Sequence, residues 1–209
     1  MSVRFCEDEF EKLKNLLHIY EWGLQTLKTK INIVDEDLKT FQGRDAIDYI
    51  ASRIKTPQSI GGKLHNMGEP LTAQSALENL FDIAGMRIIC PFIDDIHFLV
   101  GILRTMPDIN ILSEKNYVSK PKPSGYRSYH IILEVPVFFN GKTEYVKAEV
   151  QIRTEAMNFW STLEHKVRYK YKGDIPKHLS DELALIANKI DELDNRMFLI
   201  HEIISLINQ

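Results

Sequence analysis

The spacing of apolar residues outlines the chain before any chemistry is considered. Phe10, Leu13, Leu17, Tyr20, Leu24, Leu27 and Ile31 recur at steps of three and four, which draws one apolar stripe along a helix. A second helical stretch is expected from about Asp45 to Lys55. Thr56-Pro57 then opens a further helix, with threonine as its cap and proline at its first position. That helix puts Ser59 and Lys63, four residues apart, on one face. Gly61-Gly62 weakens it, since glycine costs about 1 kcal/mol against alanine in a helix.

The middle of the chain changes period. Met86 to Cys90 reads as a strand, Asp94 to Met106 as a helix and Ile109 to Tyr117 as a strand. Lys120-Pro-Lys-Pro-Ser-Gly125 is a loop, punctuated by two prolines and a glycine. Arg127 to Phe139 is a strand, Asn140-Gly141 a hairpin turn, and Lys142 to Arg153 the antiparallel return. Thr154 to Lys170 is helical. Leu179, Leu183, Ile186, Ile190, Leu193, Met197, Ile200, Ile204 and Ile207 then form an apolar heptad seam. Such a seam packs on the chain's own first helix, joins subunits, or does both. The pattern is an α+β domain, a mixed sheet flanked by helices, with helical N- and C-terminal extensions.

Composition narrows the class. Apolar residues make up 44% and charged residues 26% of 209, an ordinary globular balance for one core with extensions. The formal net charge of −3 does not suit a general nucleic-acid binder, so any anion site must be a local cluster. Cys6 and Cys90 have no C-x-x-C spacing, and neither a signal core nor a membrane span is evident, so a cytoplasmic protein is expected. No P-loop, Rossmann turn or zinc spacing occurs.

The chemistry concentrates in four places. Along Tyr145 to Arg153, Val146, Ala148, Val150 and Ile152 point one way, and Lys147, Glu149, Gln151 and Arg153 the other. Tyr126, Ser128 and His130 likewise share a face. These polar faces read either as a solvated sheet surface or, if they coincide, as a ligand floor. The loop from Lys120 to His130 offers Lys122, Arg127 and His130 around Tyr126, suited to phosphates and a stacked base or simply to solvent. Arg53, Lys55, Ser59 and Lys63 are either a second phosphate-binding group or a solvated basic face. Asp82 is either a turn residue or, with Glu149, one of the two carboxylates that magnesium commonly takes.

Four segments together resemble the synthetase domain of RelA/SpoT homologues: S-R-I-K-T-P-Q-S-I-G-G-K at 52–63, D-I-A-G-M-R-I-I-C at 82–90, K-P-S-G-Y-R-S-Y-H at 122–130, and E-V-Q-I-R-T-E-A-M-N-F-W-S-T-L-E-H-K at 149–166. The resemblance divides the chain into an N-terminal helical extension (1–43), a synthetase domain (44–175) and a C-terminal helix (176–209). With no hydrolase domain before it and no regulatory region after it, the chain resembles the small, synthetase-only branch. That branch implies a nucleotidyltransferase-like fold and a homotetramer with helical contacts. It also implies Mg2+-dependent transfer of pyrophosphate from ATP to the 3′-hydroxyl of GDP or GTP, giving the alarmones ppGpp or pppGpp of the stringent response. A pyrophosphokinase with another acceptor, an adenine nucleotide or a tRNA 3′ end, and an inactive nucleotide-binding regulator are the alternatives.

The resemblance also implies roles. Arg53 and Arg87 would sandwich adenine, and Lys55, Ser59 and Lys63 would contact the ATP phosphates. Asp82 and Glu149 would hold magnesium, with Glu149 catalytic. Tyr126 would stack on guanine, Lys122 and His130 would hold acceptor phosphates, and Gln151 and Asn158 would fix the acceptor nucleoside. Arg153 and His165 are further members of this set, with less defined parts. Relatives often carry more basic residues after the position of Lys63, where this chain has Leu64-His65-Asn66-Met67.

Overall fold

The computed structural model describes residues 5–170 and 175–207. The first apolar stripe forms α1, Glu7–Phe41. Glu7, Asp8 and Glu9 at its start and Lys39 at its end complement the helix dipole. Leu13, Tyr20, Leu24, Leu27, Ile31 and Leu38 are buried in the same core as the sheet, so α1 is a layer of the domain. At Gly23 the helix presses on the sheet so closely that an added Cβ would lie 2.8 Å from Val146 Cβ.

The segment expected as a second helix, 45–55, is instead an edge strand, β1, Tyr49–Ile54. Six residues make a poor isolated helix. Here every residue of β1 finds an antiparallel partner on β2, and Asp48 and Lys55 extend the ladder with backbone bonds of 2.9 and 2.8 Å. Long-range pairing therefore decides the conformation over local propensity.

Next come α2, Pro57–Met67, capped by Thr56 and closed by Gly68 at φ 76°, and α3, Ala73–Asn79, capped by Thr72. The short α3 was not expected from the sequence. The remaining elements fall close to their expected spans: β2 Ala84–Cys90, α4 Ile93–Thr105, β3 Asn110–Asn116, β4 Tyr129–Phe139, β5 Lys142–Thr154, α5 Glu155–Lys170 and α6 Lys177–Ile207. Asn140 and Gly141, both at positive φ, turn β4 into β5.

The five strands run in the order β1-β2-β5-β4-β3. β2 and β5 are parallel, and the other pairs are antiparallel. Burial alternates along β4 and β5, with Ile131, Leu133, Val135, Val146, Ala148, Val150 and Ile152 in the core. The predicted core face of β5 is thus the observed one. The opposite face carries the polar set.

At the chain's other end, α6 packs on α5 and α4. Only Ala187 of its residues is buried, while Leu193, Met197, Ile200 and Ile204 of the heptad seam are half exposed or more. Among the described residues no helix is long and apolar enough to cross a membrane.

Candidate active site

Strand register aligns the polar residues in two rungs. Arg53, Gly85, Glu149 and Ile132 stand side by side across β1, β2, β5 and β4. The next rung carries Ala51, Arg87, Gln151 and His130. The polar faces of β4 and β5 therefore coincide, as a ligand floor requires. Gly85 leaves its place on the first rung empty, between Arg53 and Glu149.

Two clefts open on this floor. One, of about 170 Å³, is lined by Arg53, Asp82, Gly85, Arg87, Glu149 and Gln151. The other, of about 630 Å³, is lined by Lys63, Asp82, Tyr117, Lys122, His130 and Glu149 among others. Asp82 and Glu149 belong to both.

Asp82 is held by two cations: Lys55 Nζ donates to its Oδ2 at 2.6 Å, and Lys63 Nζ lies 2.9 Å from the same atom. Burial pushes its carboxyl up, but the two ammonium groups outweigh it and the net shift is downward. Its other oxygen, Oδ1, is buried with no hydrogen-bond partner. A buried, ionised, unpartnered oxygen is costly unless a ligand completes it.

Glu149 is similarly opposed by burial and held ionised by its neighbours. His130 Nδ1 lies 3.0 Å from its Oε1, Gln151 Nε2 donates to its Oε2 at 2.9 Å, and its carboxyl sits below the usual range. Nearby Asp82 acts in the other direction. Among the described residues no group of three or more His, Cys, Asp or Glu is gathered for a metal ion. Two carboxylates facing a cleft fit magnesium, which takes its remaining ligands from substrate phosphates and water.

The residues expected on the acceptor side form one network. The Tyr126 hydroxyl lies 2.7 Å from His130 Nε2 and accepts from Arg153 Nη2 at 2.5 Å. Arg153, buried, also donates to Gln151 Oε1 at 2.7 Å and to Ser161 Oγ at 2.9 Å. Lys122 Nζ sits 4.9 Å from the Tyr126 ring centroid and 4.8 Å from that of Tyr117. Tyr117, which the sequence reading did not single out, meets the His130 ring edge-on at 5.3 Å. Its one sequence signal was an aromatic just ahead of the Pro-Gly loop.

Other expected residues are placed differently from one another. Ser59 is exposed on the first turn of α2, its hydroxyl 2.9 Å from Thr56 Oγ1. Arg53 is exposed at the sheet edge. Asn158 lies toward β1 and β2: Arg87 Nη1 donates to it at 3.3 Å, and it donates to the Tyr49 hydroxyl at 2.9 Å. It thus stands beside Arg87 and Tyr49. Arg87 Nε is buried without a partner. His165 is exposed on α5, outside the residues lining either cleft. Lys147 is turned from the site to the Leu77 carbonyl and the Phe81 ring. In the stretch after Lys63, Leu64 is fully buried and Met67 lines the larger cleft.

The polar face of a mixed sheet thus joins two clefts at a carboxylate pair, with arginines in one and lysines in the other, an arrangement suited to two phosphate-bearing substrates. Residues 52–174 match the region found in RelA/SpoT proteins, and the chain belongs to that family. Within it, the chain is 44% identical to GTP pyrophosphokinase YwaC of Bacillus subtilis (strain 168), over 94% of this chain and 95% of that protein. Two crystal structures of small alarmone synthetase 1 from Bacillus subtilis share the fold. The one bound to its product pppGpp has a TM-score of 0.83 at 32% identity, covering 92% of this chain and 97% of that one. The one bound to AMPCPP has a TM-score of 0.77 at 29% identity, covering 93% and 98%.

Proposed function

We propose that this protein is a GTP pyrophosphokinase that makes ppGpp and pppGpp from ATP and GDP or GTP, releasing AMP. Its whole-length likeness to YwaC and to a synthetase bound to pppGpp supports the reading. One observation carries it at the level of atoms: Glu149 lines both clefts, with Arg53 and Arg87 in one and His130 and Lys122 in the other.

ATP takes the smaller cleft. Arg87 and Arg53 flank its base, and Lys55 and Lys63 reach its phosphates from the places where they now hold Asp82. The guanine nucleotide takes the larger cleft, its base on Tyr126 and its phosphates near Lys122 and His130. The acceptor's 3′-oxygen bonds to the β-phosphorus of ATP. The bond from that phosphorus to the α,β-bridging oxygen breaks, and AMP carries the bridging oxygen away. The 3′-hydroxyl proton passes to Glu149, which is ionised and oriented by His130 and Gln151. Most of the catalysis is alignment and charge neutralisation. Magnesium, held by Asp82 and Glu149, would supply neutralising charge to the phosphates. The exposed apolar seam of α6 supports an oligomer through helical contacts, with a tetramer implied by the family resemblance, and the activity implies a part in the stringent response in the cytoplasm.

Incubation with ATP, magnesium salt and GDP, GTP, ADP or tRNA in turn tests the proposal. AMP should form in proportion to product only with a guanine nucleotide. AMP formed only with tRNA or an adenine nucleotide would overturn it.

A further inference from the structure

The loop that carries Tyr126 has its shape fixed from within. Lys122 N–H donates to the Tyr126 carbonyl at 3.1 Å and Gly125 N–H to the Lys122 carbonyl at 2.8 Å. Arg127 Nη1 donates to the Val118 carbonyl at 3.1 Å and so closes the neck of the loop. These bonds hold the loop's form. They do not by themselves say where it sits relative to the sheet.

Two contacts with α6 do. Gly125, at φ 86°, is buried against the helix: a Cβ there would fall 2.3 Å from Ala187 Cβ. Both the backbone conformation and the space therefore require glycine at this position. Next to Tyr126, Arg127 Nε lies 3.0 Å from Asp191 Oδ1 on α6. The N–H is not aligned for a hydrogen bond, so charge holds the pair. The two side chains are 15% and 24% exposed, which limits screening by solvent.

The helix is itself fixed to the catalytic strand. Thr154 Oγ1, at the end of β5, donates to Asp194 at 2.6 Å, and Trp160 Nε1 donates to the Leu183 carbonyl at 3.2 Å. Thr154 follows Arg153, which holds the Tyr126 hydroxyl from below. Tyr126 is thus held at its hydroxyl by Arg153 and His130 on the sheet, and beside its backbone by the Arg127–Asp191 pair on α6. Adjacent Cα atoms are held about 3.8 Å apart, so a shift of Arg127 moves Tyr126.

The geometry points to Asp191 of α6 as a positioning residue for the acceptor site, acting through Arg127 on Tyr126. It rests on the reading of Tyr126 as the ring that takes guanine. Asp191 touches no substrate. Its loss leaves the ATP cleft and Glu149 as they are, and lets the acceptor loop wander.

The test is Asp191→Asn, which keeps the size and removes the charge, beside Ala187→Leu, which pushes on Gly125 without touching any charge. Glu192→Gln, at an exposed pair with Arg196 on the same helix, serves as control. Both test variants should raise KM for the guanine nucleotide about tenfold, the scale of one charged contact. The KM for ATP and the kcat at saturating acceptor should stay within about twofold. Amide hydrogen exchange across residues 118–127, measured without nucleotide, should quicken about tenfold in both and not in the control. Equal rises in both KM values, or unchanged exchange in the loop, would overturn the assignment. If the wild-type protein transferred nothing to guanine nucleotides, the proposed function would fail, and the exchange measurement would still decide whether Asp191 holds the loop.

Discussion

Nδ1 of His130 lies 3.0 Å from Oε1 of Glu149, while the other nitrogen of the same ring lies 2.7 Å from the Tyr126 hydroxyl. One imidazole therefore links the Glu149 carboxylate, the proposed proton acceptor, to the Tyr126 ring, the proposed guanine platform. Glu149→Gln keeps a hydrogen-bonding partner for His130 and Gln151 but cannot accept a proton. Turnover should fall by about 10²–10⁴, the usual worth of a general base, with the thermal midpoint within a few degrees of wild type. Steady-state rates and a melting curve check this. Activity near wild type would remove Glu149 from the proton transfer.

Tyr126→Ala removes a ring and also releases Arg153 and His130 from its hydroxyl. Base–aromatic stacking contributes about 1–3 kcal/mol, so KM for GDP or GTP should rise about 10- to 100-fold. The KM for ATP should change by less than about twofold. Parallel titrations of the two substrates distinguish the cases, and equal weakening of both counts against a guanine stack.

Much of this site could be read in the sequence because β5 obeys a strict two-residue period. Val146 to Ile152 declared the core side and so put Glu149, Gln151 and Arg153 on the other, while the resemblance alone gave them parts in a site. What could not be read depends on contacts distant in sequence. Residues 49–54 show no two-residue alternation to mark a strand, and pairing with the edge of β2 extends them. Tyr117 and Asp191 reach the site only because β3 and α6 close around the loop. The contacts of Asn158, which was expected to help fix the acceptor nucleoside, are likewise set at long range, since the path of α5 brings it to Arg87 and Tyr49.

The contact of α1 with β5 gives a stability prediction. Gly23→Val would place a branched side chain where even a Cβ meets Val146 at 2.8 Å. Overpacking of this kind costs about 1–3 kcal/mol, more than the helix propensity that valine gains over glycine. Chemical denaturation should show the loss, with kcat per folded molecule kept. An unchanged midpoint would mean that α1 does not bear on β5 at this point.

Asp194 gives a pH dependence. Burial raises its carboxyl above the ordinary 3.8, the Thr154 hydroxyl opposes the shift and the charge of Asp191 adds to it. Of the charged groups nearby, Arg127 pairs with Asp191. Because the folded-state value is raised, the folded chain gives up this proton at higher pH than the unfolded chain. Stability is therefore lost as pH rises from 3.8 through the folded value, and the penalty persists at neutral pH. Asp194→Asn still accepts from Thr154 and carries no charge. Its melting temperature should exceed that of wild type near neutral pH, and the difference should vanish in acid. A variant less stable than wild type at neutral pH would contradict the sign.

The central claim is that a pyrophosphate moves intact from ATP to a guanine nucleotide, and the fate of the β-phosphorus tests it most directly. With ATP labelled at that atom, GDP and magnesium, the label should appear in a 3′-diphosphate of the guanine nucleotide, with unlabelled AMP formed mole for mole. Label recovered in ADP, or in free phosphate or pyrophosphate with the guanine nucleotide unlabelled, would contradict the account.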